Sequence, residues 1–596
     1  MAVTVRGRSA TTNYPPLLLA GTVMLLLLAV MPSALNLPQS SPAETLEYAP
    51  IPPEDNQITP PVGNLSSLGL GSTSSFGSSP GGQPGTPPLD APGKGVGKNP
   101  RVKNCVGDPP RQSEDPLAPP CVAFYDGDNG GATWNGVTRD EIRVLFYIQG
   151  GFIDCVTREG CEERPVSSYF DLDEPPQEDD NFHVRQLRIW QRYFNERYQT
   201  YNRRAHFFVY FNDGTTTVEG RRADAVENLE RVKPFAVQTY ADVPDPYIEV
   251  MARRGIMNFG SFENRPASFF SRFPKLIWSY LPSIEQSAAM YGSWVCTQIV
   301  DRPVSFSGNA GDQGKPRKLG FLSTADPDFP GMQLFAQAAK REIEKCGGQF
   351  VAEATAPYAS WAQDTRTAGE EATQNVARFI QAGVTTVIWA QGYETNHSKA
   401  AAQQNWRPEW VVAGDGFHEG VQTGARQEPT VWDYAWVMTN VVRSGLVTES
   451  QCYSALRRDP DSDPTDASFD CGLHTYYQDL RQLFTGIQVA GPNLNPTTLD
   501  RGMRAIPAIR SQDPRVPACF YNPGDYTCVK DAMVNWWDSE SQAPGRSEQG
   551  CWRMVEEGRR YFAGAWPNRE ASAGRTESDP CNTYAGPLLL YVGTAD

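Results

Sequence analysis

Few residues of this 596-residue chain stand in patterns that covalent chemistry requires. The run Gly77-Ser78-Ser79-Pro80-Gly81 fits G-x-S-x-G, which exposes a serine only where a strand enters the turn and a helix leaves it. Its flanks here are proline, glycine and serine, so the match is compositional. The five histidines (183, 206, 397, 418 and 474) include no pair at i, i+4 spacing, and the twelve cysteines include no C-x-x-C. Neither a histidine metal site nor a zinc or redox cysteine motif is therefore expected, and each histidine reads as a surface or core residue. No nucleophile–base pair emerges, so an enzyme is not expected, nor any cofactor or metal. The cysteines all lie beyond residue 104 and are even in number, which suits disulfides in an exported protein. Cys105/Cys121, Cys155/Cys161, Cys452/Cys471 and Cys519/Cys528 are each near enough to close a small loop, but spacing leaves the pairing open.

The elements around these residues are easiest to read between Lys318 and Gly416. KLGFLS is a short strand, and Gly331–Cys346 is a helix with Leu334, Phe335, Ala338, Ala339 and Ile343 near a 3.6 period. Gly347-Gly348 stops that helix, because glycine accepts the left-handed conformation beyond a helix end. QFVAEA is the next strand. A helix over 370–382 carries Val376, Phe379 and Ile380 on one face. VTTVIWA follows, nearly all apolar as in a buried parallel sheet. A helix over 396–405 and the strand EWVVAG complete an alternation that predicts a doubly wound α/β domain. An earlier half repeats it: the strand EIRVLFYIQ, a helix over Asn181–Tyr201, the strand AHFFVYFND, a helix over 221–232, then KPFAVQTY and RGIMNFGS. In the first of those helices Leu187, Trp190, Phe194 and Tyr198 share a face, with Arg188, Arg192 and Glu196 expected to point away. A further helix is expected over 283–299. Two α/β lobes in tandem, each with an open sheet, would make a ligand cleft beyond the carboxyl ends of their strands.

The amino terminus reads differently. Arg6 and Arg8 precede fifteen apolar residues, Leu17–Met31, shorter than the ~20 needed to span hydrocarbon. Residues 1–35 are expected to be a signal peptide or a signal anchor, making the protein extracytoplasmic, secreted or tethered. Residues 36–104 are rich in proline, glycine and serine, with Tyr48 and Phe76 their only aromatics, and predict a disordered spacer. Residues 105–596 then form the two-lobe domain: lobe 1 over about 135–300 plus a later return segment, lobe 2 over about 315–440 plus part of the C-terminal region. The net charge of −16 repels phosphate backbones, so no nucleic-acid partner is expected, and membrane contact only through the N-terminal segment.

The segments GVTRDEIRVLFYIQGG, RYFNERY before a strand ending in FND, and STADPDFPGMQLFAQAAKREIEKCGGQF resemble type I periplasmic binding proteins, in particular the leucine/isoleucine/valine-binding proteins of ABC transporters. The resemblance covers residues ~135–540. It implies two Rossmann-like lobes joined by three crossovers that close on a small ligand by hinge motion. It departs from the family at an insertion, 153–181, and at a long irregular tail with extra cysteines and tryptophans. By local matching it implies ligand contacts at Tyr240 (VQTYAD), Phe262 and Asn264 (GSFENRP) on lobe 1. On lobe 2 the matches are Tyr393 (AQGYETN) and Asp415 (AGDGF). Serine and threonine are missing from the lobe-1 positions, which weakens a grip on a ligand carboxylate. Asp415, between glycines at a strand end, can pair with a cation or accept hydroxyl donors; the alternative is an ordinary turn aspartate. The expected ligand is therefore a small amine- or hydroxyl-bearing molecule, amino-acid-like in size, and the expected partner an ABC transporter permease. The competing reading is a receptor-like envelope protein for sensing or adhesion, for which the spacer and the tail's Trp536, Trp537, Trp552 and Trp566 speak.

Overall fold

A computed structural model divides the chain into two units, Met1–Phe76 and Gly77–Asp596. The described residues are 105–582, except 107–109, 114, 149–166, 178–179, 214–216, 241–244, 261–264, 326–329, 358–364, 391–394, 415–419, 441–451, 453–475, 510–515 and 545–546. The N-terminal apolar run, the spacer with its G-x-S-x-G match, Cys155, Cys161 and Cys471 lie outside them. No helix among the described residues is long and apolar enough to cross a membrane.

Lobe 1 comprises β1 (Glu141–Ile148), β2 (Ser168–Asp171), α1 (Phe182–Arg197), β3 (Arg204–Phe211), α2 (Val218–Arg231), β4 (Ala236–Tyr240), α3 (Asp245–Arg253), β5 (Met257–Phe259), α4 (Ala267–Arg272) and β6 (Ile277–Trp278). Its sheet runs β2-β3-β1-β4-β5-β6. All neighbours pair in parallel except β2, which lies antiparallel along β3. The central strand β1 buries its last five residues, Val144 through Ile148 with Leu145, Phe146 and Tyr147, as a strand covered on both faces must. Asn181 caps α1 by accepting the Val184 N–H, and Val184, Leu187, Trp190 and Phe194 then fall on the sheet. Arg188 does not point away as expected. It is buried beside Asp180 at 2.9 Å and donates to the Leu172 carbonyl, because the chain around β2 covers that side of the helix.

Lobe 2 comprises α5 (Ile284–Gln298), β7 (Leu319–Ala325), α6 (Pro330–Lys345), β8 (Phe350–Pro357), α7 (Thr365–Ala382), β9 (Thr386–Ala390), α8 (Asn396–Gln403), β10 (Glu409–Ala413), α9 (Val421–Ala425), α10 (Pro429–Trp432) and β11 (Trp436–Thr439). The helix expected over 283–299 packs by its Ala288, Tyr291, Trp294 and Val295 into the lobe-2 core, so lobe 1 ends near Trp278. Ile380, expected on the buried face of α7, is 38% exposed; Ala372, Val376 and Phe379 form that face instead.

The chain then returns. Helices α11 (Tyr476–Ala490) and α12 (Pro496–Ala505) pack into the lobe-1 core through Leu480, Phe484, Ile487 and Leu499. The segment expected to be an irregular tail is ordered: β12 (Asp531–Asp538) pairs antiparallel with β11, and β13 (Cys551–Met554), β14 (Tyr561–Phe562) and β15 (Cys581–Asn582) follow. They extend the lobe-2 sheet to nine strands, β15-β13-β12-β11-β10-β9-β7-β8 with β14 beside β12. Trp536, Trp537, Trp552 and Trp566 are all buried in lobe 2, each contributing on the order of 2–3 kcal/mol as large apolar side chains do. They offer no aromatic surface for adhesion.

One buried network ties this tail down. Arg317 meets Glu409 through two nitrogens at 2.7 and 3.0 Å and Glu570 at 3.0 Å. Glu409 also accepts the Ser305 and Phe306 N–H groups and the Thr386 hydroxyl. Disulfides join Cys105–Cys121 and Cys519–Cys528, as loop closure suggested, and also Cys296–Cys346 and Cys551–Cys581, which span 50 and 30 residues. Cys452 is disulfide-bonded too.

Candidate functional site

In open α/β sheets the ligand edge is the carboxyl end of the strands. Those ends are Ile148, Phe211, Tyr240, Phe259 and Trp278 in lobe 1 and Ala325, Pro357, Ala390, Ala413 and Thr439 in lobe 2. Of the five residues expected to touch a ligand, Phe262, Asn264, Tyr393 and Asp415 lie outside the described residues. Tyr240 is the last residue of β4, in register with Ile148 of β1, and its side chain too lies outside them. The strands that lead into all five positions are in place: β4, β5, β9 and β10.

What the described residues bring together at the lobe-1 edge is a polar cluster that sequence reading missed. Gln238 on β4 donates to Asp479 Oδ2 at 3.2 Å and to the Tyr476 carbonyl at 3.4 Å. Thr239 Oγ1 donates to the Gly260 carbonyl at 3.2 Å. Gly260 has φ +85°, and a Cβ there would sit 2.2 Å from Asp479 Oδ2, so the position requires glycine twice over. Asp479 lies in the first turn of α11. Burial pushes its carboxyl up to about 7, against the opposing pull of the Gln238 hydrogen bond and of Arg481. Arg481 is itself engaged with Asp115 at 3.2 Å. Beside this cluster Tyr476 Oη lies 2.8 Å from His183 Nδ1, and burial pushes that imidazole down to about 3, so it is neutral at ordinary pH. The signal for Asp479 was present in the sequence: Tyr476, Leu480, Leu483, Phe484 and Ile487 follow a helical period in a stretch to which no individual element was assigned.

A second cluster fixes β1 against β3. Asp224 on α2 accepts from Tyr147 at 2.6 Å and Tyr210 at 2.8 Å, and Asn212 donates to the Tyr147 hydroxyl at 3.0 Å. Burial, aided by Asp224, keeps both phenols protonated.

Three crossovers link the lobes: after β6, after β11, and between α12 and β12. The first and third are zipped together. Ser279 and Thr527 form a parallel bridge, with Ser279 N–H donating to Tyr526, Cys528 N–H to Ser279 and Val529 N–H to Tyr280 at 3.0–3.1 Å. Gln482 of α11 joins them by donating to the Ser279 carbonyl and the Tyr521 hydroxyl. Lys530 is buried against Asp525 at 3.1 Å, and burial lowers its pKa. This strap carries the Cys519–Cys528 disulfide. A separate cavity of about 580 Å³ opens along the flank of β8, lined by Gln337, Lys340, Glu353, Glu371 and Arg378, with a Lys340–Glu353 ion pair across it.

No protein-family model matches the sequence, and no curated protein matches it. In three dimensions the chain is similar to ABC transporter substrate-binding proteins. One is a solute-binding protein from Rhodopseudomonas palustris BisB5 in complex with 3,4-dihydroxybenzoic acid: 11% identity, TM-score 0.46, covering 71% of this chain and 98% of that one. A substrate-binding protein from Aeropyrum pernix gives 11% identity and TM-score 0.48 over 71% and 96% of the two chains. A leucine-, isoleucine-, valine-, threonine- and alanine-binding protein from Brucella ovis, in its closed conformation, gives 8% and 0.46 over 72% and 98%.

Proposed function

We propose that the chain is an extracytoplasmic solute-binding protein, not an enzyme, which captures a small amine- or hydroxyl-bearing molecule between its lobes and delivers it to an ABC importer. The observation that supports this most is the pair of sheets with parallel centres, whose carboxyl ends adjoin three crossovers, two of them hydrogen-bonded into one strap. Such an arrangement lets two rigid bodies close on a ligand by bending a few residues. The described disulfides suit an oxidising compartment. In this reading Tyr240, Phe262 and Asn264 face Tyr393 and Asp415 across the cleft. The adhesion reading loses the support of the tail tryptophans, since they are core residues.

Native mass spectrometry of the purified protein, followed by small-molecule extraction, identifies the ligand. Titrating that ligand against Asp415→Asn should show a loss of about 1.5–3 kcal/mol in affinity, the range for a hydrogen bond to a charged group. A cleft that is empty and binds nothing from extracts would refute the receptor reading; equal affinities would reduce Asp415 to a turn residue.

A further inference from the structure

We propose that lobe 1 carries a divalent transition-metal site, with zinc as its representative ion, formed by His206 Nε2 on β3 and the carboxylates of Asp171 and Asp173 at the end of β2. β2 is the antiparallel strand that the insertion adds to an otherwise parallel sheet. Its pairing sets Asp171 opposite Phe208, and Asp173 follows two residues on, so both carboxylates reach the imidazole of His206. One ligand atom from each of the three residues lies within 4.8 Å of the other two. His206 Nε2 is 2.5 Å from Asp171 Oδ1 and 3.6 Å from Asp173 Oδ2. Donors around a tetrahedral zinc stand about 3.4 Å apart, given metal–ligand distances of about 2.1 Å. A backward shift of Asp171 by about 1 Å would therefore admit the ion, with water in the fourth position.

The surroundings are those a ligating histidine needs. Its other nitrogen, Nδ1, faces Glu141 Oε1 on β1, the carboxylate contact that fixes the ring orientation of metal-bound imidazoles. Glu141 is held in turn by Arg143 at 2.8 Å. Asp173 is held by Gln191 at 3.0 Å and by Arg204, and Asp171 Oδ1 accepts the Asp173 N–H at 2.9 Å. The ring packs on Phe208 with centroids 4.1 Å apart, and the His206 side chain is 12% exposed. With a neutral imidazole, three carboxylates against two guanidiniums leave one negative charge, which a dication reverses. One nitrogen and two oxygen donors suit zinc; magnesium and calcium prefer all-oxygen sets. The bound ion would staple the inserted strand to the sheet.

The test is zinc titration of the full-length protein after chelator treatment, read by calorimetry. The expected result is one equivalent bound, weakened at least tenfold in His206→Ala and about 10–100-fold in Glu141→Gln, the usual range for a supporting carboxylate. Asp173→Asn, which keeps the strand pairing and a similar side-chain shape, should weaken binding too while leaving circular dichroism unchanged. Cobalt in place of zinc should give a visible absorption band that His206→Ala abolishes. Failure of the wild-type protein to bind zinc stoichiometrically overturns the proposal. So does wild-type affinity in His206→Ala, since ions scattered over an acidic surface do not depend on one histidine.

Discussion

Asp479 is expected to make the protein less stable as pH rises, and Asp479→Asn to remove that dependence. In the unfolded chain this carboxyl titrates near 3.8; in the folded protein burial moves it to about 7. Below pH 4 both states hold the proton and the group contributes nothing. Between about pH 4 and 7 the folded state binds more protons than the unfolded one, so stability falls with rising pH; above about 7 the loss is complete and constant. At about 1.4 kcal/mol per pH unit the loss reaches at most about 4 kcal/mol, and the partial exposure of the side chain reduces this toward about 2. Asparagine keeps the shape and can still accept from Gln238, so the variant should match wild type near pH 4.5 and exceed it by about 2–4 kcal/mol at pH 8. Urea unfolding of ligand-free protein at pH 4.5, 6 and 8, followed by tryptophan fluorescence, reads this directly. The competing possibility is that Arg481 supports an ionised Asp479, although the 3.2 Å contact with Asp115 already occupies that guanidinium. A variant less stable than wild type at pH 8, or a difference that does not change with pH, refutes the reasoning.

Glu409→Gln leaves Arg317 buried with half its partners and should cost about 3–5 kcal/mol, seen as a lower melting temperature for lobe 2; a loss under about 1 kcal/mol would show the network to be dispensable. Gly260→Ala forces a left-handed conformation on a residue with a Cβ and displaces Asp479, so a loss of about 1–3 kcal/mol or more is expected in the same unfolding assay. Replacing Cys296 and Cys346 together by alanine removes the link between α5 and α6 and should cost about 2–5 kcal/mol; thiol counting on the unfolded, unreduced wild-type protein should find these two cysteines paired.

The alternating elements between Lys318 and Gly416 were legible because the inner strands are short and apolar and each helix shows an apolar face. β9 is the plainest case, with all five residues buried. What escaped detection had physical reasons. β6 is two residues long, too short for any period to show. β12 buries all eight residues, its aspartates and asparagine included, so it shows no alternation of polar and apolar. Arg188 looked outward because a helix period cannot reveal that β2 and its flanks will cover the helix. The Cys296–Cys346 pair is set by the packing of α5 on α6 and not by spacing. The proposed metal ligands come from β3, the end of β2 and the turn after it, which only strand pairing brings together, so histidine spacing along the chain gave no sign of His206. The ligand-binding residues themselves rest on the resemblance alone.

The crossovers also mean that neither lobe is a continuous stretch of chain, and this bears on how the protein is made. Lobe 1 receives α11 and α12 some two hundred residues after β6 has left it, and lobe 2 receives β12 only after those helices. Phe484 stacks on Phe194 across that gap, and Trp536 stands opposite Trp436. A nascent chain ending near residue 470 would thus hold two half-built cores, each with an apolar face awaiting a later segment. Domains usually fold in order as they emerge, but here that route is closed until almost the whole polypeptide is available. An export machine that threads an unfolded chain, and an assisting protein that shields those faces on arrival, would suit such an interleaved design. Truncation from the C-terminus should accordingly cause aggregation of the whole protein instead of the loss of one lobe.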